Sequence, residues 1–166
     1  MNRNVATVAV LRTTPDTVLK DYRTLCELAG MRQALDPASA TILKDNISWH
    51  LLYPGANTTP WQLEGTILAL REAGFRDLVD VHNKTVVTIA DQGDRYNKFG
   101  PVLRKYGVPV KYNFKETDMR WVPYVSRKPL LALDRVYPEG IRIPDYFIGK
   151  NIVHLPTVKT HSYTVT

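Results

Sequence analysis

The chain has 166 residues, 44% of them hydrophobic and 23% charged, with a formal net charge of +6; that is enough apolar material for one domain with a buried core. No apolar run approaches the ~18 residues that span a bilayer, and no secretory apolar region precedes Thr13 and Asp16, so the expected setting is cytoplasmic. The lone cysteine, Cys26, excludes an internal disulfide and any cysteine-built zinc or iron–sulfur site within these residues.

Residues 5–11 read as a first strand. Thr14 as N-cap and Pro15 at the first helical position then open a helix. Its apolar stripe is Val18, Leu19, Tyr22, Leu25, Cys26 and Leu28, and Gly30 ends it. On that stripe Cys26 reads as a small core residue rather than a nucleophile. Residues 40–46 form a second strand, which runs into a loop over 48–57 containing Pro54 and Gly55.

The strongest local signal follows. Thr59-Pro60-Trp61-Gln62 supplies an N-cap hydroxyl, a proline at the first helical position and a capping-box glutamine. Leu63, Ile67, Leu70 and Ala73 recur at helical spacing, and Gly74 closes the helix. Residues 78–81 are a short strand, so a β-loop-α-β unit predicts parallel strands with a right-handed crossover. Residues 91–106 read as a helix interrupted at Gly100-Pro101, and 108–114 as a strand. The interval 115–140 reads as a hairpin whose clearer strand is 130–136. A short extended piece at 141–145 precedes an apolar run that ends near Leu155. No repeat or linker divides the chain. The reading is a single α/β domain over 1–166: a mostly parallel, Rossmann-like open sheet with helices on both faces.

Between Asp94 and Lys128 there are nine Lys/Arg against three Asp/Glu, so this region carries the whole charge excess, together with seven of the 16 aromatics. Basic residues interleaved with aromatics suit nucleic acid. The plainer reading is a solvated helix followed by strands whose aromatics face a core, and no nucleic-acid motif accompanies the charge. A nucleic-acid-binding module over 95–128 is therefore the alternative rather than the leading expectation.

Open α/β sheets bind ligands outside the carboxyl ends of their strands. Three groups fall at such ends. Lys44, Asp45 and Asn46 follow the second strand, with Ser48, Trp49 and His50 close behind. His82, Asn83, Lys84 and Thr85 follow the third. Lys159, Thr160 and His161 follow the last. The helix start at Thr58 and Thr59 points at the same rim, where free backbone N–H groups suit an anion. Each group also has a plainer use. Asn46 and Asn83 satisfy turns, Thr58 and Thr59 cap a helix, and His154 within an apolar run is a hydrogen-bonded core histidine. Sequons at Asn46, Asn57 and Asn83 are accidental in this setting. Lys159 and His161 are harder to set aside. At i and i+2 of an extended segment they share one face, and an ammonium beside an imidazole holds an anion or moves a proton. His50, His82 and His161 could join Asp45 or Asp80 around a metal, but no spacing shows it, and no metal site is assigned. Gly-x-Gly-x-x-Gly, Walker and Gly-x-Ser-x-Gly patterns are absent.

At these residues the chain resembles the large family catalogued as DUF362, a domain of unknown function. The matching pieces are Lys44-Asp45-Asn46 in place of a Lys-Pro-Asn turn, Thr58-Thr59-Pro60 at the helix start, and Glu72-Ala73-Gly74 at its stop. The most specific is Asn151 through Pro156 to Lys159-Thr160-His161. Order and spacing agree over about residues 40 to 161. Asp45 departs from the usual proline, and Val81-His82-Asn83-Lys84 from a Gly-Asp-Gly-like loop.

The resemblance implies an α/β fold. It also implies that this chain is the N-terminal part of a longer, truncated or processed protein, its sheet incomplete at the C-terminus. The partner would then be the remainder of that protein after Thr166, or a second copy. A distant similarity of the family to nickel-pincer lactate racemases implies a lysine–histidine site.

The expected function is binding of a small carboxylate or phosphate at the strand-end rim. Lys159 and His161 are the catalytic candidates, with proton transfer such as racemisation the most concrete reaction. Lys44, Asn46, Thr58, Thr59, His82, Asn83, Lys84 and Thr160 are the candidates to line the anion site. No cofactor is named by the residues. A further alternative, from the ferredoxin-like cluster module that some family members carry, is a redox or iron–sulfur protein whose cluster module lies beyond residue 166.

Overall fold

A computed structural model of the chain describes residues 8–161. Two short helices, α1 (Val18–Leu28) and α2 (Met31–Ala34), precede the first strand, β1 (Thr41–Asp45). Helix α3 (Pro60–Glu72) leads to β2 (Leu78–His82), and α4 (Ala90–Tyr96) and α5 (Phe99–Tyr106) lead to β3 (Val110–Tyr112). An excursion through β4 (Trp121–Tyr124), α6 (Leu133–Val136) and β5 (Ile141–Pro144) returns the chain to β6 (Asn151–Leu155). The main sheet has four strands in the order β3-β2-β1-β6, and every pairing in it is parallel. The expected α/β open sheet is therefore present. No helix among the described residues is long and apolar enough to cross a membrane.

The local chemistry at 59–78 works as the residues dictate. Thr59 is extended, its hydroxyl accepts the Gln62 N–H at 3.3 Å, and Pro60 occupies the first helical position. The return half of the capping box goes elsewhere: Gln62 Nε2 donates to the carbonyl of Pro156 at 3.3 Å. Gly74, at φ 97°, ends the helix where a side chain would be strained. β1 and β2 pair with Thr41 opposite Leu78.

Strand alternation divides the side chains between two layers. On one face Leu43, Leu78, Val153 and Leu155 pack with Leu63, Ile67 and Leu70 of α3 and Phe99 and Leu103 of α5. On the other, Ile42, Val79 and Val81 meet Met119, Tyr146 and Phe147, the last two from the short 3-10 helix Asp145–Phe147. Helix α1 packs along α3, where Gly65 lets the Tyr22 ring approach. Glu64 ties α3 to α5, its Oε1 accepting from Lys105 Nζ and Tyr106 Oη, both at 2.7 Å.

Several expected elements fold differently. Residues 8–11 form no strand, and Val8 and Val10 are exposed; residues 5–7 lie outside the described residues. The regular part of α1 begins at Val18 after a turn on the Thr14 carbonyl, which accepts from both Thr17 and Val18. The break between α4 and α5 falls at Asn97–Lys98, where Lys98 takes φ 64°, not at Gly100-Pro101. Pro101 sits in the first turn of α5, where its missing N–H costs nothing. Residues 130–136 are not a strand. Part of them forms the exposed helical turn α6, and the antiparallel partner of β4 is β5. Strand β6 stops at Leu155, where the Thr58 hydroxyl stands between the Leu155 carbonyl and the Asn46 N–H in place of the next ladder bond. Lys159, Thr160 and His161 thus lie in an irregular segment beyond the strand. His154 is exposed on this edge strand, not in a core.

Candidate functional site

The strand order places a topological switch between β1 and β6. The chain steps from β1 to β2 to β3 on one side, and β6 adds on the other side of β1. Open α/β sheets bind ligands in the crevice outside the strand ends at such a reversal. Here the segments leaving β1 and β6 are tied to each other and to the start of α3. Thr58 is buried, and its hydroxyl donates to the Leu155 carbonyl at 2.6 Å and accepts from the Asn46 N–H at 2.7 Å. Thr157 Oγ1 donates to the Asn57 carbonyl at 2.9 Å. Lys159 Nζ then donates to Asn46 Oδ1 at 2.8 Å, and Asn46 Oδ1 also accepts from Ser48 Oγ at 3.3 Å. The far end of β6 is anchored by Asn151, whose Nδ2 donates to the Asp36 carbonyl at 2.7 Å and to Thr41 Oγ1 at 3.0 Å.

A second cluster lies one layer away, under α4. Asp45 of β1 and Asp80 and His82 of β2 share the face that carries Leu43 and Leu78, and all three are buried. His82 Nδ1 is 3.1 Å from Asp45 Oδ1, and Nε2 is 3.2 Å from Asp80 Oδ2. Burial alone would lower the His82 imidazole, but the charge and hydrogen bond of Asp45, with the charge of Asp80, outweigh it and hold it up to about 9. Burial, reinforced by the charge of Asp45, pushes the Asp80 carboxyl well above the ordinary carboxylate range. Burial also raises Asp94 of α4, against the pull of His82.

The expected residues divide between these places. Lys159 and Asn46 meet directly. Lys44, next to Asp45 along β1, points to the opposite face by strand alternation, and its Nζ donates to the Asp45 carbonyl at 2.8 Å. Thr58 and Thr59 stand at the rim as structural groups. The only hydroxyl proton of Thr58 goes to Leu155, which leaves none for a ligand, and Thr59 caps α3. Thr160 and His161 are exposed beyond Lys159. Asn83 and Lys84 are exposed after β2, and Asn83 Oδ1 accepts from Asn113 Nδ2 at 3.1 Å. His82 does not line an anion site. Strand β2 extends one residue past Val81, which turns this ring inward between two carboxylates that repel an anion. His50 stacks on Trp49 with ring centroids 5.9 Å apart.

Sequence reasoning did not single out Asp94 or Asn57. Asn57 is buried and organises the 48–57 loop, accepting from Ser48 and Trp49 N–H and donating to Trp49 and Leu51 carbonyls and Asn97 Oδ1. The signal for the buried cluster was the carboxylate of Asp80 inside an otherwise apolar strand, since such a group needs a partner. A groove of 630 Å³ between Thr13–Leu19 residues and Pro60, Trp61 and Glu64 is mostly apolar and touches neither cluster.

No family model matches the chain, and no curated protein or solved structure matches it either.

Proposed function

We propose that the chain binds a small anion, a carboxylate or a phosphate, at the switch between β1 and β6. The observation that carries this reading is the 2.8 Å contact of Lys159 Nζ with Asn46 Oδ1. It sets a half-buried ammonium at the crevice where this sheet class binds ligands. A neutral amide oxygen is a weak partner for an ammonium, and an anion can displace it without breaking an ion pair. The N-terminus of α3 opens nearby, and Lys44 adds positive charge from the opposite face of β1. The DUF362-like order of Lys44, Thr59-Pro60 and Lys159-Thr160-His161 agrees with this use. In that reading His161, two residues beyond Lys159, is the acid or base of a proton transfer next to the bound carboxylate. A cytoplasmic setting suits the lone Cys26, whose thiol is pushed up by burial and is a poor nucleophile.

The test is thermal stabilisation by small carboxylates and by phosphate, for wild type and Lys159→Ala. Wild type should gain several degrees at millimolar anion, and the variant should need about tenfold more for the same gain. Equal shifts in both proteins would remove Lys159 from the site.

A further inference from the structure

We infer that Asp45, Asp80 and His82 form a buried site for one divalent transition-metal ion, with Asp94 as a further oxygen donor. The inference is independent of the anion reading, since these groups occupy the α4 face of the sheet.

The first observation is proximity. One ligand atom from each of Asp45, Asp80 and His82 lies within 4.8 Å of the others. The second is that the cluster is unsatisfied as protein alone. Asp45 Oδ2, both oxygens of Asp80, Asp94 Oδ1 and His82 Nε2 are buried without a hydrogen-bond partner. Orphaned polar atoms on side chains at 0–2% exposure are costly and rare, and those of Asp45, Asp80 and His82 belong to one group of neighbours. The third is charge. Three carboxylates face a single imidazole, so an imidazolium leaves the cluster negative, while a divalent cation offsets what remains.

The geometry of His82 fits a metal ligand. Asp45 Oδ1, 3.1 Å from Nδ1, orients the ring and favours the proton on that nitrogen. That leaves Nε2 as the lone pair, 3.2 Å from Asp80 Oδ2. A carboxylate holding the far nitrogen is the usual outer support of a histidine ligand. The three residues come from adjacent parallel strands, two of them at i and i+2 of β2, so the sheet itself fixes their spacing. Mixed imidazole and carboxylate donors suit Mn²⁺, Fe²⁺ or Zn²⁺, whereas Mg²⁺ and Ca²⁺ take oxygen alone. With every strand ligand buried, the ion would clamp α4 to β1 and β2.

The experiment uses the full chain, stripped with chelator and then titrated separately with Zn²⁺ and Mn²⁺. One equivalent of either ion should raise Tm by about 5 °C or more, and Asp80→Asn should weaken binding by about 100-fold or more. In wild type, Mn²⁺ should broaden the ring resonances of His82 before those of His50, His154 and His161. Should Asp80→Asn fail to fold, this broadening decides the question on its own. Absence of a thermal shift with both ions overturns the site, as does an equal shift in Asp80→Asn or broadening centred on another histidine. Those results would leave an imidazolium held between carboxylates.

Discussion

Thr58 and Leu155, 97 positions apart, are joined by a hydrogen bond of 2.6 Å from the threonine hydroxyl to the leucine carbonyl. The threonine Oγ1 in turn accepts the Asn46 N–H at 2.7 Å. One buried side chain therefore holds together the ends of β1 and β6 and the approach to α3. The segment after Leu155, pinned in this way, carries Lys159 to Asn46.

Thr58→Val keeps the shape and removes both bonds. It should cost about 2 kcal/mol in urea unfolding, because a buried N–H and a buried carbonyl lose their partner. It should also weaken anion-dependent stabilisation, although Thr58 has no proton to offer a ligand. Unchanged anion affinity in a destabilised Thr58→Val protein would show that the pin does not position Lys159.

Helices α1 and α3 depend on a missing side chain. A Cβ on Gly65 would lie 2.6–2.8 Å from Tyr22 Cδ2, Cβ and Cγ, atoms close to the α1 backbone that cannot swing away. Alanine is the better helix former by about 1 kcal/mol, yet Gly65→Ala should destabilise by about 1–3 kcal/mol through overpacking. Shortening the opposing residue, as Tyr22→Leu in the Gly65→Ala background, should recover part of the loss. A Gly65→Ala protein more stable than wild type in thermal melts would contradict the close packing of these helices.

The Glu64 bridge has a definite pH signature. The hydrogen bond from Lys105, then that from Tyr106, holds the Glu64 carboxyl below its ordinary value. A depressed acid stabilises the fold above its unfolded pKa and loses that contribution as pH falls through its folded pKa. Glu64→Gln should accordingly lower Tm near pH 7 and converge with wild type toward pH 3. Lys105 is exposed, so solvent screening keeps the effect small. Parallel Tm curves for the two proteins from pH 7 to 3 would show that this bridge does not couple to stability.

How much of this was legible in the residues depended on how local each signal was. Thr59, Pro60 and Gly74 mark α3 correctly because capping and left-handed termination are settled within a turn. Lys98 gave no warning of the α4–α5 break, since a lysine at positive φ has no compositional mark. Gly100-Pro101 gave a false one, because proline is tolerated in a first helical turn. Residues 130–136 look like a strand because the period of so short an apolar run is ambiguous. The candidate site turned on a single residue of strand length. With β2 ending at Val81, His82 is a loop histidine at the rim. With β2 extended to His82, it shares a side of the strand with Asp80. Lys159 and Asn46, 113 positions apart, share the rim expected of them, although Lys159 lies four residues beyond the end of β6 rather than at it. Their direct contact depends on tethers from Thr58, Thr157 and Gln62 that no local pattern announces.

Lys44 and Asp45 are neighbours on β1 whose side chains leave opposite faces of the sheet. The consequence is that charge, as well as apolar pattern, sets the alignment of this strand. Sliding β1 by one position would carry the Lys44 ammonium under α4, toward Asp80 and His82, and turn Asp45 outward. The sheet would then exchange Leu43 for Ile42 in the main core, a nearly even trade of aliphatic volume. Hydrophobicity alone thus distinguishes the two alignments poorly; the observed one gives the His82 imidazole the Asp45 carboxylate as its partner, where the slipped one would bring a second cation to it.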